Sequence, residues 1–379
     1  MADKIIYLDN AATTLVNPEV LDTYNKVVNG YFANASSIHA EGQKANRLLE
    51  KSREQILSCL HLNEHEVIFT SGATEANNLA IKGYCLEHQN RGKHIIVSSV
   101  EHACVLESAR WLEKFGFEVT YLPVNSKGVV EAETLKAALR DDTILVSIMA
   151  VNNETGAINP IHEIASLLKN YSKIAFHVDA VQSMGKVEIN YSEIDMFSVA
   201  GHKIHSLKGS GLLIKRKKIE LLPMNSGGGQ ENNLRSGTND VASAASISKA
   251  VRLATENMMA KKEKVTKLYQ IVKDYIDENP ELYELNSYSS DNPYIINFSL
   301  KTRKASVVVE ALSNNGIMIS SISACHSRGE PMSYVVAAMG KDEFLSHNTL
   351  RISFDESNTV DEIKTFISAL DKIIRSLKQ

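Results

Sequence analysis

Short runs of Ile, Val, Leu and Phe recur along the chain between about residue 50 and residue 215, each separated from the next by stretches of mixed polarity. The runs are Val67–Thr70, His94–Ser99, Glu118–Leu122, Ile144–Met149, Ile174–Val178, Met196–Ala200 and Leu212–Lys215. Near-continuous apolar runs of this length suit strands covered on both faces, and amphipathic stretches such as Pro160–Lys169 supply the covering helices. The alternation predicts an α/β fold built on a mostly parallel seven-stranded sheet. After residue 240 the pattern changes. A long helical periodicity from Val241 to about Ile276, rich in Ala, Lys and Met, reads as a connection to a second unit. That unit carries strand patterns at Tyr294–Ser299, Ile317–Ser320 and Thr349–Phe354 and helical ones at Ala305–Asn314 and Val360–Leu377. The expected plan is a large α/β domain over 15–255 and a smaller α+β domain made of 1–14 and 256–379. No repeat, low-complexity tract or Pro/Ser-rich linker interrupts it.

Composition narrows the class of function. With 379 residues, 44% hydrophobic and 23% charged, the chain reads as an ordinary soluble protein able to bury a large core. No apolar run is long enough for a bilayer, and Met1-Ala2-Asp3-Lys4 leads straight into Ile5-Ile6-Tyr7-Leu8 without a signal-peptide core, so no membrane association is expected. A net charge of −4 argues against direct nucleic-acid binding. The clusters Lys215-Arg216-Lys217-Lys218 and Lys261-Lys262 read as solvated surface. Four cysteines, Cys59, Cys85, Cys104 and Cys325, with no Cys-x-x-Cys spacing, fit a reducing cytoplasm and suggest neither a disulfide framework nor a metal site.

Chemistry collects just past the strand patterns. After Val67–Thr70 comes Ser71-Gly72-Ala73-Thr74-Glu75, a small-residue turn into a helix beginning near Thr74. Free N–H groups and the helix dipole make such a junction an anion site, although Thr74 and Glu75 also suit simple capping. Asp179 ends the apolar segment Ala175–Val178, where ligands sit in open α/β sheets. A carboxylate there needs a cationic partner, or else caps the segment that follows. Lys203 follows Met196–Ala200 in a small-residue turn. There its amine can lose a proton and form a Schiff base, unless it is simply a surface lysine. Together an anion cradle, a buried aspartate and a buried lysine answer the needs of pyridoxal 5'-phosphate: phosphate, pyridine nitrogen and aldehyde.

Seven segments extend this picture: Tyr7-Leu8-Asp9-Asn10-Ala11-Ala12-Thr13-Thr14, Thr70–Glu75, Glu101-His102, Val151-Asn152-Asn153-Glu154, His177-Val178-Asp179-Ala180, Gly201-His202-Lys203 and Arg235-Ser236-Gly237-Thr238. In order and spacing they resemble the class V aminotransferases, and among these the cysteine desulfurases related to IscS and NifS, over essentially the whole chain. The resemblance implies the fold type I architecture of pyridoxal-phosphate enzymes and a homodimer. It makes Lys203 the Schiff-base lysine, Asp179 the partner of the pyridine nitrogen and Gln182 that of the ring hydroxyl. His102 would stack on the ring and move protons. Ala73, Thr74 and His202 would hold the phosphate, with Thr238 reaching it from the second subunit. Asn153 and Arg351, with Asn34 a weaker candidate, would orient L-cysteine, Arg351 by a bidentate bond to its carboxylate.

Ser320-Ser321-Ile322-Ser323-Ala324-Cys325-His326-Ser327-Arg328 is small and polar, and within about 320–331 a mobile loop is expected. His326 and Arg328 supply the positive charge that favours a thiolate at Cys325. The resemblance makes Cys325 the catalytic cysteine, which takes sulfur from L-cysteine as a persulfide for an acceptor protein, with alanine released. Related chemistries on selenocysteine or cysteine sulfinate, or a weakly active partner-binding role, remain alternatives. The chain's short end after its last helix, where longer relatives carry a scaffold-docking segment, makes a tRNA-thiolating enzyme the expected acceptor over an iron–sulfur scaffold. Departures from the family pattern are Ala200 for serine, Ser206-Leu207 for Gly-Pro, Asn233 for glycine, Ala33 and Ala35 for Gly and Pro around Asn34, and Asp355 for glycine. None removes a group that the chemistry requires.

Overall fold

The computed structural model describes residues 5–288, 291–321 and 332–376. Its strands are β1 (Ile6–Tyr7), β2 (His65–Thr70), β3 (His94–Ser98), β4 (Glu118–Leu122), β5 (Thr143–Ser147), β6 (Ala175–Asp179), β7 (Met196–Ala200), β8 (Gly211–Arg216), β9 (Tyr283–Leu285), β10 (Ile295–Leu300), β11 (Ile317–Met318) and β12 (Thr349–Ser353). Seven form one sheet in the order β2-β8-β7-β6-β5-β3-β4. Neighbours are parallel except at β8, which runs against both β2 and β7. The exception has a simple cause. Residues 201–210 between β7 and β8 are fewer than the roughly dozen that a parallel crossover needs. Strands β3, β5, β6 and β7 are buried at every position, as their unbroken apolar runs anticipate. The run at Ile144–Met149 outlasts its strand because Ile148 and Met149 stay buried after β5 has ended.

The second core is built on an antiparallel sheet, β12-β10-β9, together with helices Met258–Asp277, Ala305–Asn314 and Val360–Ser376. Ile6 and Leu8 belong to this core, and β1 pairs in parallel with β11, so the first described residues are stitched to a segment more than 300 positions away. The periodicity from Val241 to Ile276 is not one helix. It breaks into Val241–Thr255 and Met258–Asp277, with Asn257 at φ 56° between them. Asn tolerates the left-handed region, and Lys261 Nζ donates to Leu253 O (2.6 Å), closing the end of the first helix. One surface reading is also corrected. Lys215 is buried in β8, its ammonium donating to Ile219 O (2.7 Å) and pairing with Glu66. Among the described residues, no helix is long and apolar enough to cross a membrane.

Candidate active site

The parallel strands β2, β3, β5, β6 and β7 end on one side of the sheet, and a cavity of about 590 Å³ opens there. Ala73, Thr74, His102, Asn153, Asp179, Gln182, His202, Lys203 and Arg351 all line it, although they come from strand ends and turns spread over most of the chain. Asn34 and Thr238 do not line it within one chain. Both are exposed, and Asn34 Oδ1 accepts the N–H of Ser36 at 2.9 Å. Cys325 lies outside the described residues.

The anion cradle follows β2. Its helix starts at Ala73, directly after Gly72. Strand β8 begins so close that a Cβ on Gly211 would sit 2.5 Å from Gly72 Cα, so only glycine fits there. The expected Ser/Thr cap is not formed, since Gly72 holds the N-cap position without a side-chain hydrogen bond; Glu75 in the first turn accepts the N–H of Ser71 (2.7 Å) and pairs with Arg235 (2.9 Å). Burial opposes charge on Glu75, but Arg235 and Ser71 outweigh it and hold the carboxyl below its usual range. His202 faces the same cavity, its Nδ1 3.2 Å from Thr13 Oγ1. Burial, then the charges of Lys203 and Lys208, push its pKa down to about 4, so it is neutral at physiological pH.

Asp179, at the end of β6, is 4% exposed. It accepts hydrogen bonds from Asn77 Nδ2 (2.8 Å) and the N–H of Val181 (3.0 Å), both neutral donors. Lys203 reaches from the turn after β7 to the carbonyls of Ala11 and Ala12, the latter at 2.7 Å. Gln182 Nε2 donates to Ala11 O (3.0 Å), while its buried Oε1 has no partner among the described residues. An amine, a carboxylate bonded by neutral groups, an orphaned amide oxygen and a helix start beside a neutral histidine fit pyridoxal phosphate at its aldehyde, pyridine nitrogen, ring hydroxyl and phosphate.

The other wall would receive a substrate. Arg351, on β12, donates through Nη1 to Asn153 O (2.9 Å) and through Nη2 to Asp9 Oδ1 (2.8 Å). Its Nε and Asn153 Oδ1 are buried without partners among the described residues. A bidentate grip therefore has to use the guanidinium N–H groups that those two contacts leave over. His102 caps the helix Ala103–Glu113 through Nδ1, which accepts the N–H of Cys104 at 3.2 Å. Beside it Glu101 is fully buried, with Oε1 accepting from Ser98 Oγ (2.8 Å) and from the N–H of Met149 (2.7 Å). Burial pushes its pKa up to about 8.

Several groups in or beside the cavity carried no individual role in the sequence reading. The carbonyls of Ala11 and Ala12 answer Lys203, Asp9 answers Arg351, and Cys104 lines the cavity next to His102. For the first group the available signal was a polar, small segment straight after the apolar Ile5–Leu8. For Cys104 it was a thiol two positions past a candidate histidine at a helix start.

The class V aminotransferase family model matches residues 6–366. A NifS/IcsS protein homolog of Lactobacillus delbrueckii subsp. bulgaricus is 43% identical over 373 residues, covering 97% of each chain. The cysteine desulfurase IscS of Dictyoglomus turgidum is 39% identical, covering 98% of this chain and 95% of its own. A solved NifS-like protein superimposes with a TM-score of 0.91 at 32% identity over 99% of this chain and 100% of the other. The chain thus belongs to the class V aminotransferases, a pyridoxal-phosphate-dependent enzyme family, and within it to the NifS/IscS group of cysteine desulfurases.

Proposed function

We propose that the protein removes sulfur from L-cysteine, releases L-alanine and carries the sulfur as a persulfide on Cys325. The observation that supports this most is the cavity in which Lys203, Asp179 and the orphaned Gln182 oxygen face Arg351 and Asn153, in a chain akin to named cysteine desulfurases. When bound there, pyridoxal phosphate supplies an electron sink for charge developing at the substrate Cα. Lys203 would hold its aldehyde, Asp179 its pyridine nitrogen and Gln182 its hydroxyl. Ala73, Thr74 and His202 would hold the phosphate, together with the partner subunit's Thr238. Arg351 takes the substrate carboxylate through its remaining N–H groups and Asn153 orients the amino end, with Asn34 a further candidate. His102 would cover the ring face and exchange protons with the substrate. The Cys325 thiolate then attacks the substrate sulfur. A sulfur–sulfur bond forms as the carbon–sulfur bond breaks, and a proton returns to the remaining three-carbon unit.

The homodimer in this reading is supported by exposed Phe32 and Ile38, which are 78% and 91% accessible and flank Asn34 in sequence, and by exposed Leu15. The acceptor put forward is a tRNA-thiolating enzyme in the cytoplasm. Transfer of labelled sulfur to a cluster scaffold and to no thiolating enzyme would replace it. The central test is intact-mass and peptide mapping after the cofactor-loaded protein is incubated with L-cysteine. One added sulfur on Cys325, removable by reductant and matched by alanine, is the expected result. Alanine formation unaffected by Cys325→Ala would instead point to a sulfinate or selenocysteine lyase.

A further inference from the structure

A line of four side chains, three of them lining the cavity, runs from Asp179 to His102. Asn77 is fully buried in the helix that follows the anion cradle. Its Nδ2 lies 2.8 Å from Asp179 Oδ2 and 3.1 Å from Cys104 Sγ. Cys104 Sγ is in turn 3.0 Å from His102 Nδ1. Counting hydrogens leaves one consistent arrangement. The amide of Asn77 cannot be flipped, because its oxygen would then face the carboxylate of Asp179. Its nitrogen only donates, one hydrogen going to the carboxylate and the other to sulfur. The thiol, already an acceptor, is free to spend its own hydrogen on His102 Nδ1. That nitrogen accepts the backbone N–H of Cys104 at 3.2 Å, so it carries no hydrogen of its own and the sulfur contact is the thiol donating to it.

We propose that Asn77 and Cys104 are positioning residues that connect the Asp179 carboxylate to the His102 imidazole and hold that imidazole as the tautomer protonated on Nε2. The inference rests on the reading of Asp179 and His102 as cofactor-facing groups. Neither Asn77 nor Cys104 needs to touch substrate. Their effect is to correlate the proton inventories of two side chains that contact different parts of the ring, one at its nitrogen and one at its face. The thiol suits this place because a single sulfur atom both accepts and donates, whereas alanine would leave one Asn77 hydrogen unanswered in a buried site.

The test uses the cofactor-loaded protein without substrate. The visible absorption of the bound cofactor is titrated with pH in the parent, Cys104→Ala and Cys104→Ser, and kcat and KM for L-cysteine are measured alongside. Cys104→Ala is expected to move the spectral midpoint by about half a pH unit or more and to lower kcat several-fold with little change in KM. Cys104→Ser, whose hydroxyl also accepts and donates, should keep the parental midpoint. Superimposable titrations for Cys104→Ala and the parent would overturn the proposal. So would equal shifts in the two variants, which would mean that size rather than hydrogen bonding matters. A measurement that needs no folded Cys104 variant is the ring-nitrogen NMR of histidine-labelled, cofactor-free protein, with His102→Gln used for assignment. A bare Nδ1 and a protonated Nε2 are expected, and the reverse pattern would refute the network. A parent that never develops the visible band would count against the cofactor-site reading, while the NMR result would still decide the tautomer.

Discussion

At the residue scale, Glu101 is the side chain whose ionisation most clearly follows from where it sits. One of its oxygens accepts two hydrogen bonds and the other, Oε2, is buried without a partner among the described residues. Such a carboxyl is better neutral than charged, which agrees with a pKa raised from 4.5 to about 8 by burial. The sign of the linkage follows. A raised folded-state pKa contributes stability that is complete below the unfolded value and is lost as pH rises through the folded one. Glu101→Gln keeps an oxygen for the Ser98 and Met149 bonds but cannot ionise. Melting curves from pH 5 to pH 9 should therefore show the parent losing stability relative to Glu101→Gln, with the gap widening up to about pH 8. Parallel curves across that range would show that Glu101 is charged throughout. None of this was legible in the sequence, where Glu101 drew notice only as the neighbour of His102. Neutral or charged, it is the same letter, and burial decides between them.

At the scale of elements, one ion pair fastens three segments that no local pattern links. Glu231 is 5% exposed and holds Arg53 through both carboxylate oxygens at 2.7 Å. It also accepts the N–H of Phe69 on β2 (2.8 Å) and Nδ2 of Asn239 (2.6 Å). The helix Ala40–Cys59, strand β2 and the loop that bears Thr238 thus meet at a single carboxylate. The loop turns there with Glu231, Asn232 and Asn233 at φ 49°, 56° and 66°, so Asn233 occupies the left-handed region that its place opposite a family glycine anticipates. Glu231→Ala leaves the Arg53 guanidinium buried without its main partner and should lower unfolding stability by about 3–5 kcal/mol in denaturant. Replacing both partners by apolar residues should recover much of that loss. Strands were far more legible than joints of this kind. All seven runs predicted for the large sheet are strands, because burial on both faces writes itself into consecutive residues. The break at Asn257 and the three-residue β9 were missed, since each depends on where a distant core lies rather than on a local period.

At the scale of the whole molecule, the two cores are joined beside the active site by a contact with its own pH window. His205, two residues after Lys203, places Nε2 2.9 Å from Asp355 Oδ2 on the segment that follows β12. Its Nδ1 lies 3.0 Å from Leu15 O, so both ring nitrogens face acceptors and the imidazolium is favoured. Glu356 also faces this pair, with Lys261 3.9 Å from it and Lys186 nearby. Burial alone would lower the His205 pKa, but Asp355 outweighs it and raises the value above 6.5. Burial opposes charge on Asp355 too, and His205 more than offsets it, holding that carboxyl well below 3.8. The histidine's contribution is complete below 6.5 and fades as pH climbs through its raised value. The aspartate's contribution is complete above 3.8 and fades as pH falls. His205→Asn, which tolerates the φ of 62° found there, should therefore be most destabilising near pH 5–6 and progressively less so in alkaline buffer. A deficit that grows above pH 8 would contradict the ion pair. The mostly parallel sheet was readable from periodicity, whereas this bridge joins His205 to Asp355, a departure from the family pattern whose partner only the fold reveals.

The short β1 segment and the residues after it have a consequence for synthesis on the ribosome. Lys203 meets carbonyls 191 and 192 positions upstream, and Asp9 and Ala11 bond Arg351 and Ser353, 342 positions downstream. A nascent chain can therefore lay down the large sheet early, but it cannot close the catalytic cavity until translation is almost finished. Contacts of such sequence separation form late and slowly. The wall that carries Arg351 is thus completed last, and a polypeptide halted before residue 351 would emerge folded in part yet chemically silent.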